Sequence, residues 1–393
     1  MSIDPRTDAL LIDTAEHHRD LRASVGELVG SYGREYFQTC VAEDTKPTEL
    51  WAELGKAGFL GVHIAEEFGG GGGGLADYNV VIEEVAAQGC PLLSMVINSI
   101  CAPIIERHGS TAMREEWLPA LASGTKKMSF AITEPDAGSN THQVTTTARP
   151  DGDGGWVLSG TKYWTSAIDE ADAVLVVARG HEPGPDGRYQ LSLFIVPADA
   201  PGLVAQRIPS ALMVPEKQFT VFFEDVRLGP EALVGEAGNG LRQVFVGLNP
   251  ERVSAAAINN GISRYALQKA SRYAVERTVW KTPIGAHQGV AHPLAEAYIA
   301  VQQARLMNSR AAQMFDQGLD AAEAANIAKY AAADASLLAL DRAIQVHGGN
   351  GLSYEYGLAD LWFTARLHKT APVSREMILN YVSTHSLGLP KSY

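Results

Sequence analysis

Three cysteines in 393 residues, Cys40, Cys90 and Cys101, are too few and too scattered to form a disulfide framework. They make no Cys-x-x-Cys pair, and no histidines group at ligand spacing, so no metal site is expected. No apolar run approaches the length needed to cross a bilayer. The stretch from Met1 to Arg22 alternates charges with short apolar runs. It lacks both the apolar core of a secretion signal and the Arg-rich, acid-poor character of a transit peptide, and a cytoplasmic protein is the expectation. Basic residues are also in deficit. The 32 Lys and Arg against 45 Asp and Glu give a formal charge of -13, with no dense basic stretch, which argues against a nucleic-acid partner. Internal repeats and low-complexity tails are absent.

What is present belongs to a globular chain. Apolar residues make up 46%, and the length exceeds what one small core needs, so two or three packed units are expected. From about residue 7 to 128 apolar residues recur at helical spacing, as in Leu50, Trp51, Leu54, Ala57 and Leu60, then Val80, Val81, Ile82, Val85 and Ala86. The six glycines from Gly69 to Gly74 carry no following Lys-Ser/Thr, so they are no P-loop and read as a flexible connector between helices. Between 129 and 236 the character changes to short β-rich runs: Trp156 to Leu158, Ala173 to Ala178, Leu191 to Pro197, Leu203 to Ile208 and Phe219 to Phe223. Turn chemistry at 151–155 and 182–187 separates them. Helical periodicity returns from 237, with an Ala-rich stretch from Ala321 to Val346 stopped by Gly348-Gly349. The expected fold is α+β: helices over 1–128, a small β barrel or sandwich over 129–236, and a helical bundle over 237–393.

The most informative stretch is Ser129 to Asn140, which contains Thr133-Glu134-Pro135-Asp136-Ala137-Gly138-Ser139. By itself it reads as a strand running into a turn, with Pro135 fixing one backbone angle and Gly138 permitting a reversal. Thirty residues on, it is answered by Lys162-Tyr163-Trp164-Thr165-Ser166. Together the two segments resemble the flavin-contacting strands of the acyl-CoA dehydrogenases, and the order helices, β domain, four-helix bundle is that family's order. The resemblance implies FAD, with Phe130, Ile132 and Thr133 along the ring, Trp164 stacked nearby, and Ser166 offering a hydroxyl where the family more often has Thr. Gly138 and Ser139 fall in the same cofactor segment, Ser139 also toward the thioester. A flavin needs such a flat wall and a few donors; taken singly, each aromatic would pass for β-domain core.

Arg277 to Ile284, with Trp280 and Gln288, resembles the family's Arg-x-x-Phe-Gly-x-Pro-Ile…Gln segment at the FAD pyrophosphate, with Lys281 in place of Gly. A guanidinium suits phosphate oxygens. Gln345-Val346-His347-Gly348-Gly349-Asn350-Gly351 resembles the Gln-x-x-Gly-Gly-x-Gly through which a neighbouring subunit touches the same cofactor. Gln345 and Gly349 therefore imply an oligomer, a homotetramer built as a dimer of dimers. Ser374 and Glu376 complete the implied cofactor set.

Dehydrogenation of a thioester needs a carboxylate to take the α proton while hydride leaves Cβ for the flavin, with the carbonyl polarised to tolerate enolate charge. The family's usual C-terminal base corresponds to Pro372 in Ala371-Pro372-Val373-Ser374-Arg375-Glu376-Met377, and proline has neither a carboxyl nor an N–H to offer. Family members of the isovaleryl and long-chain type carry the base earlier, in a Glu-Arg pair, and Leu248-Asn249-Pro250-Glu251-Arg252 matches it. Glu251 is then the base and Arg252 its neighbouring cation. The same residues also read as an N-cap, a first helical position and an acidic first turn, which would hold the carboxyl's pKa low.

The resemblance places the acyl tail between Leu248, Asn249 and Arg252 on one side and 92–99 on the other, where Met95 can adapt to an irregular shape. A branched or bulky acyl group is mildly favoured. The implied partners are an acyl-CoA thioester and an electron-transfer flavoprotein or similar acceptor. Rival readings are a flavin monooxygenase or oxidase on the same fold and a non-catalytic subunit of a heteromer. The latter is suggested by Pro372 and by Phe363-Thr364 in place of the family's Arg-Asp.

Overall fold

A computed structural model describes residues 15–184 and 187–391. The first fourteen residues of the charged N-terminal stretch, and Pro185 and Asp186 of the second expected turn, lie outside them. Among the described residues six helices come first: α1 (Glu16–Gly30), α2 (Gly33–Ala42), α3 (Thr48–Lys56), α4 (Leu75–Ala87), α5 (Leu93–His108) and α6 (Thr111–Ser123). Their apolar spacing drives their packing. In α3 the residues Leu50, Trp51 and Leu54 share one face and are all buried, which stabilises the unit by roughly 2 kcal/mol per side chain. Ser110 caps α6 by accepting the Met113 N–H, and Gly124 ends it with φ 72°, as left-handed glycine caps do.

The strands β1 (Met128–Ala131), β2 (Thr147–Pro150), β3 (Trp156–Ser166), β4 (Ala173–Gly180), β5 (Leu191–Pro197), β6 (Leu203–Ile208), β7 (Gln218–Leu228) and β8 (Leu233–Val234) follow. They form one sheet in the order β6-β7-β3-β2-β4-β5-β8, with β1 paired in parallel to β4. The C-terminal unit contains three long helices, α7 (Gly240–Glu276), α8 (Gln288–Asp316) and α9 (Ala322–His347). A small hairpin of β9 (Thr278–Val279) and β10 (Thr282–Pro283) joins the first two. The fourth place in the bundle is filled by two short helices, α10 (Trp362–Thr370) and α11 (Arg375–Tyr381), broken at 371–374.

A buried ionic cluster ties the helical units together. Glu83 and Glu84 of α4 receive Arg22 of α1 and Arg264 of α7, and the fully buried Arg305 of α8 reaches Glu83 at 2.8 Å. Burial works against the charge on Glu84, but Arg264 and Arg22 outweigh it and hold its pKa at about 2.

Two local expectations are corrected. The glycine run is no flexible connector: Gly71, Gly72 and Gly73 donate to the carbonyls of Gly61, Ile64 and Val62. A Cβ at Gly70 would lie 2.1 Å from the Ile64 carbonyl oxygen, so a side chain there is excluded by close backbone packing. Gly138, expected to permit a reversal, has no positive φ and open space around it. The turn is closed instead by the paired backbone bonds of Glu134 and Ala137.

Candidate active site

The two flavin-type segments are physically joined. Tyr163 N–H donates to the Thr133 carbonyl at 2.8 Å, and the Ser129 hydroxyl donates to the Ser166 carbonyl at 2.6 Å. Beneath them Lys162, 0% exposed, donates to the Glu134 carboxylate at 2.8 Å and to the Ile132 carbonyl at 2.9 Å. Glu134 also accepts from Thr145 and from the Thr146 N–H. Desolvation would raise its pKa, but Lys162 and these donors bring it down to about 2. Sequence reasoning used both residues only as motif letters and missed that they pair.

This staple presents a wall. Phe130, Ile132 and Thr133 are half-buried, while Gly138 and Ser139 are exposed. At Trp164 the β3–β7 register slips, and the residue adopts φ 59° with its side chain 46% exposed. A bulky residue in that backbone region is strained, and here the strain accompanies an indole turned out of the sheet. The Ser166 hydroxyl donates to Gln218 at 2.9 Å, so it must rotate to serve a ligand.

The carboxylate side of the site comes from α7. This helix begins at Gly240, so Asn249-Pro250-Glu251 is not a helix start, and that reading is overturned. Glu251 lies past the first turns and gains no N-terminal dipole. Burial pushes its carboxyl up to about 7, with Arg252 and Lys329 pulling the other way. Among the described residues its carboxyl makes no hydrogen bond or ion pair. Arg252 donates instead to the Asn249 side chain at 2.6 Å. Phe130, Ile132 and Leu248 pack against one buried cluster that contains Ile97, Ile100, Cys101 and Val244. The Cys101 thiol lies 4.0 Å from the Ser129 carbonyl and feels the charge of Glu251. Phe130 and Ile132 of the wall and Leu248 of the helix that bears Glu251 thus meet on one apolar patch.

The remaining predicted residues divide. Met95 is fully buried and its carbonyl accepts the Tyr78 hydroxyl. The Ser374 hydroxyl caps α11 by accepting Met377 N–H, and with Glu376 it borders a cavity of about 620 Å³ that Trp362, Phe363, Arg366 and Lys369 also line. Arg277 ends α7, twenty-six residues beyond Glu251, which is roughly 39 Å away at the helical rise. Trp280 (φ 53°) and Lys281 (φ 69°) form the two-residue turn of the β9–β10 hairpin, a conformation that favours Gly or Asn. Trp280 is 90% exposed, and Gln288 is exposed at the start of α8. Gln345 and Gly349 sit at this same far end, where His347 stacks on Tyr273 at 4.3 Å and Asn350 reaches the Tyr273 and Tyr356 hydroxyls.

Other groups gave no signal in sequence. Pro250 shares a cavity of about 450 Å³ with His63, Gly74, Glu106 and Phe315, where burial drives the His63 imidazole down to about 4. His17, His18 and Asp77 bring ligand-type atoms within 4.8 Å of one another, though Asp77 already caps α4 by accepting the Gly74 N–H at 2.9 Å.

A strained, outward-facing indole, a half-buried apolar wall and an unpaired carboxyl with a raised pKa have the chemistry that a planar redox cofactor and a proton transfer beside it require. Three family descriptions match the chain: acyl-CoA dehydrogenase N-terminal domain over residues 15–125, middle domain over 129–226 and C-terminal domain over 238–386. Acyl-CoA dehydrogenase FadE12 of Mycobacterium tuberculosis is 50% identical over 390 residues, covering 98% of this chain and all of that protein. The mitochondrial short-chain specific acyl-CoA dehydrogenase of Bos taurus is 30% identical, over 97% of this chain and 92% of that protein. Butyryl-CoA dehydrogenase from Megasphaera elsdenii superposes with a TM-score of 0.90 at 26% identity, over 95% of this chain and 99% of that one. Glutaryl-CoA dehydrogenase from Mycobacterium smegmatis, solved with FADH2, gives 0.88 at 25% identity, over 96% of each chain. The chain belongs to the acyl-CoA dehydrogenase family. Its activity is FAD-dependent dehydrogenation of an acyl-CoA thioester.

Proposed function

We propose that Glu251 is the base of this dehydrogenation, and that Phe130, Ile132, Thr133, Trp164 and Ser166 hold the flavin ring. The observation that carries the reading is the Glu251 carboxyl itself, unpaired and pushed up to about 7, on the helix whose Leu248 packs against the same buried cluster as Phe130 and Ile132. FAD, when bound, supplies the hydride acceptor. The chain supplies the rest. A carboxylate with a pKa near neutrality is a stronger proton acceptor than an ordinary Glu yet is still substantially ionised at pH 7. Its Oε takes the α proton of the thioester as the Cβ–H bond breaks, leaving a Cα=Cβ double bond. Arg252 keeps a positive charge beside the forming carboxylic acid and enolate. Leu248, Ile97 and Ile100 exclude water.

The far set, Arg277, Trp280, Gln288, Gln345 and Gly349, lies too distant along α7 to serve the same flavin within one protomer. It supports a cofactor site completed by a second copy, and the proposed assembly is a homotetramer built as a dimer of such dimers. Ser139, Asn249 and Arg252 face the thioester in this reading, with Met95 behind the tail, and Ser374 and Glu376 border the cofactor. An electron-transfer flavoprotein or similar acceptor is the proposed recipient of the electrons. No helix among the described residues is long and apolar enough to cross a membrane, and a cytoplasmic site of action is proposed. The domain limits 128/129 and 236/237 rest on the order of elements.

The test is an anaerobic titration of the FAD-loaded protein with straight, branched and ring-bearing acyl-CoA thioesters, followed by flavin absorbance. Bleaching by one class is expected, with the branched class foremost. A yellow flavin that no thioester bleaches overturns the reading.

A further inference from the structure

Lys329 occupies the middle of the bundle on α9 and is only 1% exposed. A lysine so deeply buried almost always has a carboxylate partner. Among the described residues Lys329 has none within ion-pair distance, and its ammonium instead donates to the Val373 carbonyl. The charged and titratable groups around it come from every neighbouring element: Glu251 and Arg252 of α7, Glu376 of α11, Asp334 of its own helix, and His368 of α10. Most are already engaged or remote. Asp334 holds Lys369 at 2.6 Å and Arg375 at 3.7 Å, Glu376 is exposed, and His368 is fully buried and kept neutral by burial, with Lys329 adding to the effect. Arg252 repels it. Around Glu251 the other facing groups are Cys101 on α5 and Arg252. What remains is one buried ammonium without a counter-charge, whose field reaches, with that of Arg252, one carboxyl without a partner.

The second observation concerns the loop from Ala371 to Ser374. Pro372 removes a backbone donor there, and the side chain of Lys329 reaches the next carbonyl, that of Val373. One residue thereby touches the broken fourth helix and acts electrostatically on the carboxyl of α7.

We propose that Lys329 is a positioning residue of the dehydrogenation: it pins the 371–374 loop to the bundle through the Val373 carbonyl and adds its positive charge to that of Arg252 in the field acting on Glu251. The proposal rests on Glu251 being the base. Burial and Arg252 lower the Lys329 pKa to about 8, which still leaves it mostly charged at pH 7. An opposite charge nearby typically moves a carboxyl by about one to three pH units.

The experiment is an infrared titration of the FAD-loaded enzyme, with the Glu251 carboxyl band assigned by its absence in Glu251→Gln. Lys329→Met should move the midpoint upward by about one pH unit, and Lys329→Arg should return it to the wild-type value. An unchanged midpoint in Lys329→Met, or an equal shift in Lys329→Arg, overturns the proposal. If Lys329→Met does not fold, Lys329→Arg alone decides, since a raised midpoint there contradicts a charge-based role. Failure of the base assignment is separately visible, as thioester-driven flavin bleaching retained in Glu251→Gln.

Discussion

Replacing Glu251 with Gln keeps the side chain's size while removing its ability to ionise, and the consequences run in opposite directions for stability and activity. The carboxyl is raised from an ordinary 4.5 to about 7 by burial, so the folded protein binds this proton more tightly than the unfolded chain does. A group of that kind costs nothing below its unfolded pKa. Its cost grows as pH rises toward the folded pKa and is then constant. Integrated, the penalty reaches roughly 3 kcal/mol above pH 7 and is below about 1 kcal/mol at pH 5. Glutamine never incurs it. In urea unfolding at matched protein concentration, Glu251→Gln should therefore be more stable than wild type by an amount that grows by about 2 kcal/mol between pH 5 and pH 8. Loss of the base should meanwhile slow thioester-driven flavin reduction by at least about a hundredfold, with FAD still bound. A stability difference that does not vary with pH would refute the raised pKa, and unimpaired reduction would refute the catalytic role. The two measurements fail independently, so each tests a different link of the argument.

Three further substitutions probe the scaffold. Lys162→Met strands the buried Glu134 carboxylate and should cost roughly 3 to 5 kcal/mol at pH 7. Glu134 is held at about 2, so its stabilising contribution is present above pH 4.5 and lost as pH falls toward 2, and the deficit, read in urea midpoints, should narrow on acidification. Gly70→Ala drives a Cβ into the Ile64 carbonyl and should lower stability by about 2 kcal/mol, whereas Gly138→Ala, in open space, should leave the thermal midpoint unchanged.

Much of the architecture was readable because pattern and packing agree. The runs Leu191–Pro197 and Leu203–Ile208 are strands at the expected limits, since turn residues bound them on both sides. The run beginning at Trp156 extends to Ser166 instead; Gly160 and Lys162 interrupt its apolar pattern, and Lys162 lies inside only because Glu134 meets it. The start of α7 was obscured by Asn249-Pro250, which imitates a first turn although the helix already runs from Gly240. Lys329 was invisible for a related reason. In an Ala-rich helix a lysine ordinarily reads as solvent-facing, and only the three-dimensional position of Val373 and Glu251 shows otherwise. The motif letters singled out the residues proposed here as the flavin wall, but the separation of the site residues along α7 depends on helix length and orientation, which no short motif encodes.

The 37-residue helix α7 has a genetic corollary in the assembly proposed above. It carries the proposed base about three turns from its start and the phosphate-side Arg277 at its far end, so a single polypeptide would contribute to two different cofactor sites. Two defective alleles, one altered at Glu251 and the other at Arg277, would then complement each other when co-expressed, because mixed oligomers contain some sites in which neither lesion is present.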